Sequence, residues 1–402
     1  MGHHMGFPCT SIFSQRKEIR SLLTLHALLF TLAVLGYYAH YYNGLNGIID
    51  KDGNPLGRDF IAFWTTVTLL KSGNMQNIYS LSAFSQVMRD LIGHMIAGLD
   101  FRYPPLFLFF LWPLKYINDY RSAYGIWSLM NIAIFTFAVF WRLQAEKTWQ
   151  WIVLSAPAVL INVFVGQTGL LTAAFFIGGV RLLGVAPFWA GVVFALLSFK
   201  PQFFVFIPLM LVTLRQWKAL AGLGAMLCLL FAATACVFGW QIWPVFIANT
   251  LAIQSHFAEA HIGKMITVFP NAMLVGMPAT SAMGLQLFVS ALVTVLALFR
   301  LHSEKTMHWS DVLILVTPAI YLISPYGFVY DMPALAAAWV LWLARQNKPE
   351  LNPFQSFVWL LLWYMPLFSH LLFDAKLPLV PFLLILVFAV ELRRIRADQH
   401  AI

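Results

Sequence analysis

Charge is what this chain has least of. Of its 402 residues only 10% are Asp, Glu, Lys or Arg, against 60% that are hydrophobic and 16% that are aromatic. A soluble domain carries about 25% charged residues, so this chain lacks the ionic surface of a water-soluble globule and has the composition of one that lives in lipid. Cysteine is scarce too. Cys9, Cys228 and Cys236 provide neither a paired disulfide framework nor a metal-ligand spacing, and the last two, inside one apolar run, read as small core hydrophobes. Nucleotide signatures are missing: there is no Walker sequence and no dinucleotide fingerprint, and "GLGAM" (222–226) reads as a helix-packing stretch. His256 and His261 lack the helical i, i+4 context of a zinc pair.

What is present is a series of apolar runs separated by small basic groups. The net charge of +9 therefore reads as topology under the positive-inside rule, not as affinity for nucleic acid. Arg16, Lys17 and Arg20 precede the run 21–42, which is long enough to remain as a spanning helix. Arg393, Arg394 and Arg396 follow the run 377–392, and together these clusters place both termini in the cytoplasm. Arg215 with Lys218, Arg300 with Lys305, and Arg345 with Lys348 mark further cytoplasmic turns. At roughly 20 apolar residues per crossing, the spans expected are 21–42, 104–118, 121–142, 150–165, 168–184, 187–213, 219–238, 271–299, 309–325, 332–345, 355–373 and 377–392. The expectation is an all-α polytopic membrane protein, one domain over residues 1–402. Span 187–213 is interrupted by "SFKPQ" (198–202), the point at which two half-helices would meet.

Two segments, about 43–103 and about 239–270, are too long for turns and fall on the same outer face by parity. In the first, Phe60, Phe63, Trp64, Val67 and Leu70 keep helical spacing along one side, which predicts an amphipathic helix over 60–72 lying in the membrane interface. "SLSAFSQVMRDLIGHMIAG" (80–98) predicts a second of the same type.

Candidate chemistry collects on that face. Asp59, in "GRDFIAFW" (57–64), has two readings: an N-cap for the helix that follows, or a carboxylate facing a cavity above the membrane. In "FRYPPLFLFF" (101–110), Pro104 and Pro105 suit a helix start, while Arg102 either snorkels to headgroups or grips a phosphate. "VGQTGLL" (165–171) and "LSFKPQFF" (197–204) are polar interruptions at span ends, and Lys200 in an apolar stretch calls for an anionic partner. "ISPYGFVYDMP" (323–333) breaks the chain on the outer face and brings Tyr326, Tyr330 and Asp331 to the compartment of Asp59. "IIDKDGNP" (49–56) offers carboxylates for a metal but has the composition of a plain turn.

Five of these pieces, "RDFIAFW", "YPPLFLFFLWPL", "GQTGLLTAAFFIGG", "AGVVFALLSFKPQ" and "SPYGFVYDMP", in this order between Arg58 and Pro333, resemble the membrane glycosyltransferases of family 87. That group includes the polyprenol-phosphate-mannose-dependent mannosyltransferases of bacterial envelopes. The resemblance implies a GT-C-type bundle of about twelve transmembrane helices with interfacial helices in the first extracytoplasmic loop. It also implies a catalytic aspartate in that loop, a position Asp59 occupies, a polyprenyl-phosphate sugar donor entering from the bilayer, and a bacterial inner-membrane location with the site facing outward. The chain departs from the mycobacterial mannosyltransferases at "SPYGFVYD", where those look histidine-rich and this one has Tyr330 and Asp331.

The residue types suit that chemistry. A sugar on a polyprenyl phosphate already carries a good leaving group, so inverting transfer to a lipid-linked or glycolipid acceptor needs one general base, Asp59, and cations for the departing phosphate. Arg102 and Lys200 are the expected phosphate holders, with Arg58 beside them. Tyr103, Gln167, Gln202, Tyr326, Tyr330 and Asp331 complete the expected substrate-binding set, and neither a cofactor nor a metal is called for. Two other classes compete. An envelope glycan ligase or polymerase would use the second outer loop, where His256, Glu259 and His261 cluster. A transporter would line its path with Lys200 and Asp331, and predicts internal repeats that the sequence does not display.

Overall fold

The computed structural model describes residues 15–94, 96, 99–141, 146–250, 262–304, 307–346 and 351–397. The readings placed on Cys9, His256, Glu259, His261, Lys305 and Lys348 lie outside the described residues, as do the side chains of Arg394 and Arg396. Among the described residues the fold is all-helical: there are isolated β-bridges but no strands. A chain this apolar satisfies its backbone hydrogen bonds within each segment, which a helix does without a partner strand.

In chain order the helices are α1 (Arg16–Asn43), α2 (Phe60–Lys71), α3 (Leu81–Ile92), α4 (Tyr120–Phe140), α5 (Lys147–Leu154), α6 (Pro157–Val165), α7 (Gly169–Leu182), α8 (Pro187–Leu196) and α9 (Phe206–Thr213). They continue with α10 (Trp217–Phe238), α11 (Val268–Leu274), α12 (Ala279–Ser303), α13 (Trp309–Ile323), α14 (Pro333–Arg345), α15 (Pro353–Asp374) and α16 (Leu379–Ala397). Among them α1, α4, α10 and α12 are long and apolar enough to cross a membrane, and the pair α5–α6, bent by 49°, would add a fifth crossing. On α1, Leu25, Leu28, Leu32 and Leu35 are exposed, a face suited to hydrocarbon and not to water.

Several of the expected spans are shorter or more broken than the apolar runs imply. The run 104–118 is a chain of short turns over 105–116, because Pro104, Pro105 and Pro113 deny it a continuous ladder. The run 187–213 is interrupted as "SFKPQ" predicts: a 3-10 turn covers Leu197–Phe199, Lys200 is non-helical (φ −121°, ψ 79°), and helix resumes at Pro201. Pro278 separates α11 from α12 within the run 271–299.

Two readings are corrected. Helix α2 does not lie on a surface: ten of its twelve residues are buried. Phe60, Phe63 and Trp64 pack on Tyr120, Tyr124 and Trp127 of α4 and on Phe107, while α3 covers another side. Its apolar residues run all the way round, and burial on every side is what such a helix requires. Helix α3 is amphipathic, with Phe84, Ser85, Met88 and Ile92 buried and Ser82, Gln86, Arg89 and Asp90 exposed. Cys228 and Cys236 sit on the exposed face of α10, not in the core.

The most extensive helix pair is α8 with α10. Gly191 and Gly222 make it possible: a Cβ at Gly191 would lie 1.8 Å from the Ala219 carbonyl oxygen, and one at Gly222 would lie 2.0 Å from that of Phe188. Small residues let two helix backbones approach closely where lipid supplies no hydrophobic drive to associate. Gly191→Val should therefore cost about 1–3 kcal/mol through overpacking, read as a melting temperature several degrees lower in detergent. Gly184→Ala, with open space around the new Cβ, should leave the melting temperature unchanged.

Candidate active site

The turn ahead of α2 delivers Asp59. Gly57 (φ 72°) and Arg58 (φ 44°) are both left-handed, a conformation that costs a non-glycine residue about 1–2 kcal/mol. At Gly57 a side chain would also strike the Tyr124 ring, 2.5 Å from the new Cβ. The Asp59 N–H donates to the Val165 carbonyl at the end of α6 (3.1 Å), which ties the turn to a neighbouring helix. Arg58 itself turns away from Asp59. Its guanidinium pairs with Asp50 at 3.2 Å and lies over the rings of Phe164 and Tyr41. Asp50 also accepts from the backbone N–H groups of Asp52 and Asn54, so the "IIDKDGNP" carboxylate is spent on a turn and on Arg58. These hydrogen bonds and Arg58 together hold its carboxyl below the ordinary range, although partial burial acts in the opposite direction.

The Asp59 carboxylate makes no capping bond to α2. Instead the Gln167 Nε2 donates to its Oδ2 at 3.0 Å. Gln167 follows Gly166, whose left-handed backbone (φ 67°) ends α6 and whose missing side chain leaves room for Phe60 Cβ, 2.6 Å from where its own Cβ would stand. Trp127 Nε1 donates to the Gly166 carbonyl at 2.9 Å. On its other side the Gln167 Oε1 accepts from the Tyr103 hydroxyl at 3.0 Å, and that hydroxyl also meets Thr168 Oγ1 at 3.0 Å. A phenol that donates to the oxygen fixes the amide's orientation, so the nitrogen must face the carboxylate.

A second constellation lines the same cavity as Asp59. Lys200 and Asp331, 4% and 0% exposed, form an ion pair through Nζ and Oδ1. Asp331 Oδ2 accepts from the Phe328 N–H at 3.1 Å, and its backbone carbonyl accepts from the Tyr321 hydroxyl. The Tyr330 carbonyl accepts from Asn162 Nδ2 at 3.0 Å and occupies the space beside Gly169, where a Cβ would come within 1.8 Å of it. The 328–331 turn is thereby docked on α6 and α7, and the Lys200 ammonium lies 5.4 Å from the centre of the Tyr330 ring.

Between these constellations lies a cavity of about 460 Å³. Asp59, Arg102, Tyr103, Gln167 and Lys200 line it, as do Gln202, Tyr326, Tyr330 and Asp331. Of the expected site residues only Arg58 is left out of the lining. Arg102 donates from Nε to Asp100 Oδ1 at 2.8 Å, and Lys200 reaches the cavity with its charge matched by Asp331. Several other lining residues carry no local signal: Tyr79 and Phe84 from the first loop, Phe246, Asn249 and Thr250 from the helical stretch 242–250, and Lys264. Their side chains join the site only through packing between segments far apart in the chain. The apolar part of the wall runs out to Leu81 and Val205, both more than half exposed.

A chain that is all-helical over its described residues, with membrane-length apolar helices and a cavity of mixed polarity that has a carboxylate in its wall, has the make-up of an integral membrane enzyme. Residues 101–325, more than half of the chain, match the model of glycosyltransferase family 87, and the chain belongs to that family: it is a membrane glycosyltransferase. No curated protein and no solved structure matches it. The matched segment contains Arg102, Tyr103, Gln167, Lys200 and Gln202, while Asp59, Tyr330 and Asp331 lie outside it.

Removing one member of a buried ion pair strands the other and costs about 3–5 kcal/mol, whereas removing both charges costs far less. Lys200→Met and Asp331→Asn should each lower the melting temperature strongly, and the double variant should recover most of the loss. Thermal unfolding of the four proteins in one detergent measures the coupling.

Proposed function

We propose that this enzyme transfers a sugar, mannose or a similar hexose, from a polyprenyl-phosphate donor to a lipid-linked or glycolipid acceptor, with Asp59 as general base. The observation that carries this reading is the state of Asp59. It lines the cavity, its carboxylate is held by a neutral amide, and among the described residues no cation pairs with it. A carboxylate left open in a largely apolar cavity is placed to take a proton from a third molecule.

In the proposed reaction an acceptor hydroxyl loses its proton to Asp59 as its oxygen attacks the anomeric carbon. The bond from that carbon to the phosphate oxygen breaks on the opposite face, and its electron pair leaves with the prenyl phosphate. One displacement inverts the anomeric centre. Gln167 orients the base and Tyr103 orients Gln167. Arg102 meets the phosphate, and Lys200, its charge balanced by Asp331, holds that wall in place. The exposed Leu81 and Val205 at the apolar margin support entry of the donor sideways from lipid, and α3, amphipathic beside that margin, suits an interfacial setting. The reading carries with it a GT-C-type arrangement of about twelve crossings with the shorter helices completing the bundle, both termini in the cytoplasm, and a site facing outward from a bacterial inner membrane. The transporter alternative is weakened because Lys200 and Asp331 are sealed against each other.

Asp59→Asn keeps the shape and the contact to Gln167 but removes the base. Transfer from polyprenyl-phosphate sugars should fall by roughly 10²–10⁴-fold with the melting temperature unchanged. Initial rates on purified protein with a panel of donors test this, and near-normal transfer by the variant would remove Asp59 from the chemistry.

A further inference from the structure

Three acids and three cations line the cavity: Asp59, Asp100 and Asp331, and Arg102, Lys200 and Lys264. Two ion pairs consume four of them, Arg102 with Asp100 and Lys200 with Asp331. Asp59 remains on the acidic side. On the basic side Lys264 remains, with no ion pair or hydrogen bond to its side chain among the described residues.

The backbone that carries Lys264 is fixed on both sides although the side chain is exposed. Gly263 lies against the Phe373 ring so closely that a Cβ there would come within 2.6 Å of it. Met265 forms a β-bridge with Phe328, Ile266 donates to the Gly327 carbonyl at 2.8 Å, and Thr267 Oγ1 donates to the Pro325 carbonyl at 2.8 Å. Lys264 is thus anchored to the segment that holds Tyr326, Tyr330 and Asp331, and it is an exposed residue of the cavity lining.

We infer that Lys264 binds the phosphate of the lipid donor and takes up the charge that phosphate gains in the reaction. This rests on the proposed transfer. A sugar–phosphate–prenyl diester carries one negative charge, and the prenyl phosphate released is a monoester that approaches two at neutral pH. A cation already matched by a carboxylate has less charge to offer the increment, and among the described residues Lys264 has no such partner. Lysine also suits the task as a point charge, with three donors on a flexible stem that can follow a phosphate as it departs.

The test measures binding of sugar-free polyprenyl phosphate to purified protein in neutral-lipid nanodiscs at low and high salt, with uncharged polyprenol and phosphatidylglycerol as comparison lipids. Lys264→Met should weaken polyprenyl phosphate binding by roughly tenfold at low salt, and less at high salt where an exposed charge is screened. Lys264→Arg should bind like wild type, and polyprenol binding should not respond to either substitution. Unchanged affinity in Lys264→Met overturns the assignment. So does phosphatidylglycerol that competes equally and shows the same dependence on Lys264, which would make this a general headgroup contact. Lys264-dependent binding in a wild type that transfers no sugar would sink the proposed reaction and leave the phosphate site standing. Normal transfer with Lys264-independent binding would do the reverse.

Discussion

A lysine and an aspartate sealed together from solvent hold this site in register. Lys200 sits where the chain between α8 and α9 stops being helical, and Asp331 closes the 3-10 turn ahead of α14. Neither charge is tolerable alone at that depth, so their pairing obliges two distant segments to meet. Once the 328–331 turn is fixed, the Tyr330 carbonyl lies against Gly169 and bonds Asn162, which sets the ends of α6 and α7 relative to each other. From that junction project Gly166 and Gln167, and through Gln167 and the Val165 carbonyl the position of Asp59 is fixed. The carboxylate at the cavity is thus the last link of a chain that begins with an ion pair elsewhere in the lining.

The helical architecture was legible because apolar runs, prolines and basic clusters are local signals. Nearly every expected run contains helix, and "SFKPQ" interrupts its run at the residues named. The surroundings of those helices were not legible. The spacing of Phe60, Phe63, Trp64, Val67 and Leu70 describes one apolar side, but Ile61, Ala62 and Leu69 extend apolar surface over the rest, and only the positions of α3 and α4 decide that the helix is enclosed. In a membrane chain apolar surface faces lipid and protein alike, so periodicity loses the meaning it has in water.

The site residues divide along the same line. Asp59, Arg102, Gln167 and Lys200 stood out because polar atoms inside apolar sequence are expensive and therefore informative. Arg58 stood out for the same reason yet serves the Asp50 turn, because one residue along a left-handed turn reverses the direction in which a side chain points. Lys264 lies in a less apolar loop where a lysine is unremarkable, and no local signal separates it from a solvated charge. Its place in the cavity comes from the bridge between Met265 and Phe328, a contact between segments that sequence spacing cannot relate.

The economy of charge around the cavity has its own logic. A transferase that works beside lipid needs a carboxylate and at least one cation within a small volume of low polarity, where opposite charges attract strongly. Left to themselves they would close on each other and neither would be open to a substrate. Here two of the cations are occupied by their own acids, and Asp59 is hooked to an amide whose orientation a phenol dictates. With those pairs made and the remaining carboxylate held by a neutral group, Asp59 has no ion-pair partner among the described residues, which is the state that the proposed roles of base and phosphate-binding cation require. In this fold the salt bridges contribute to the site by what they prevent.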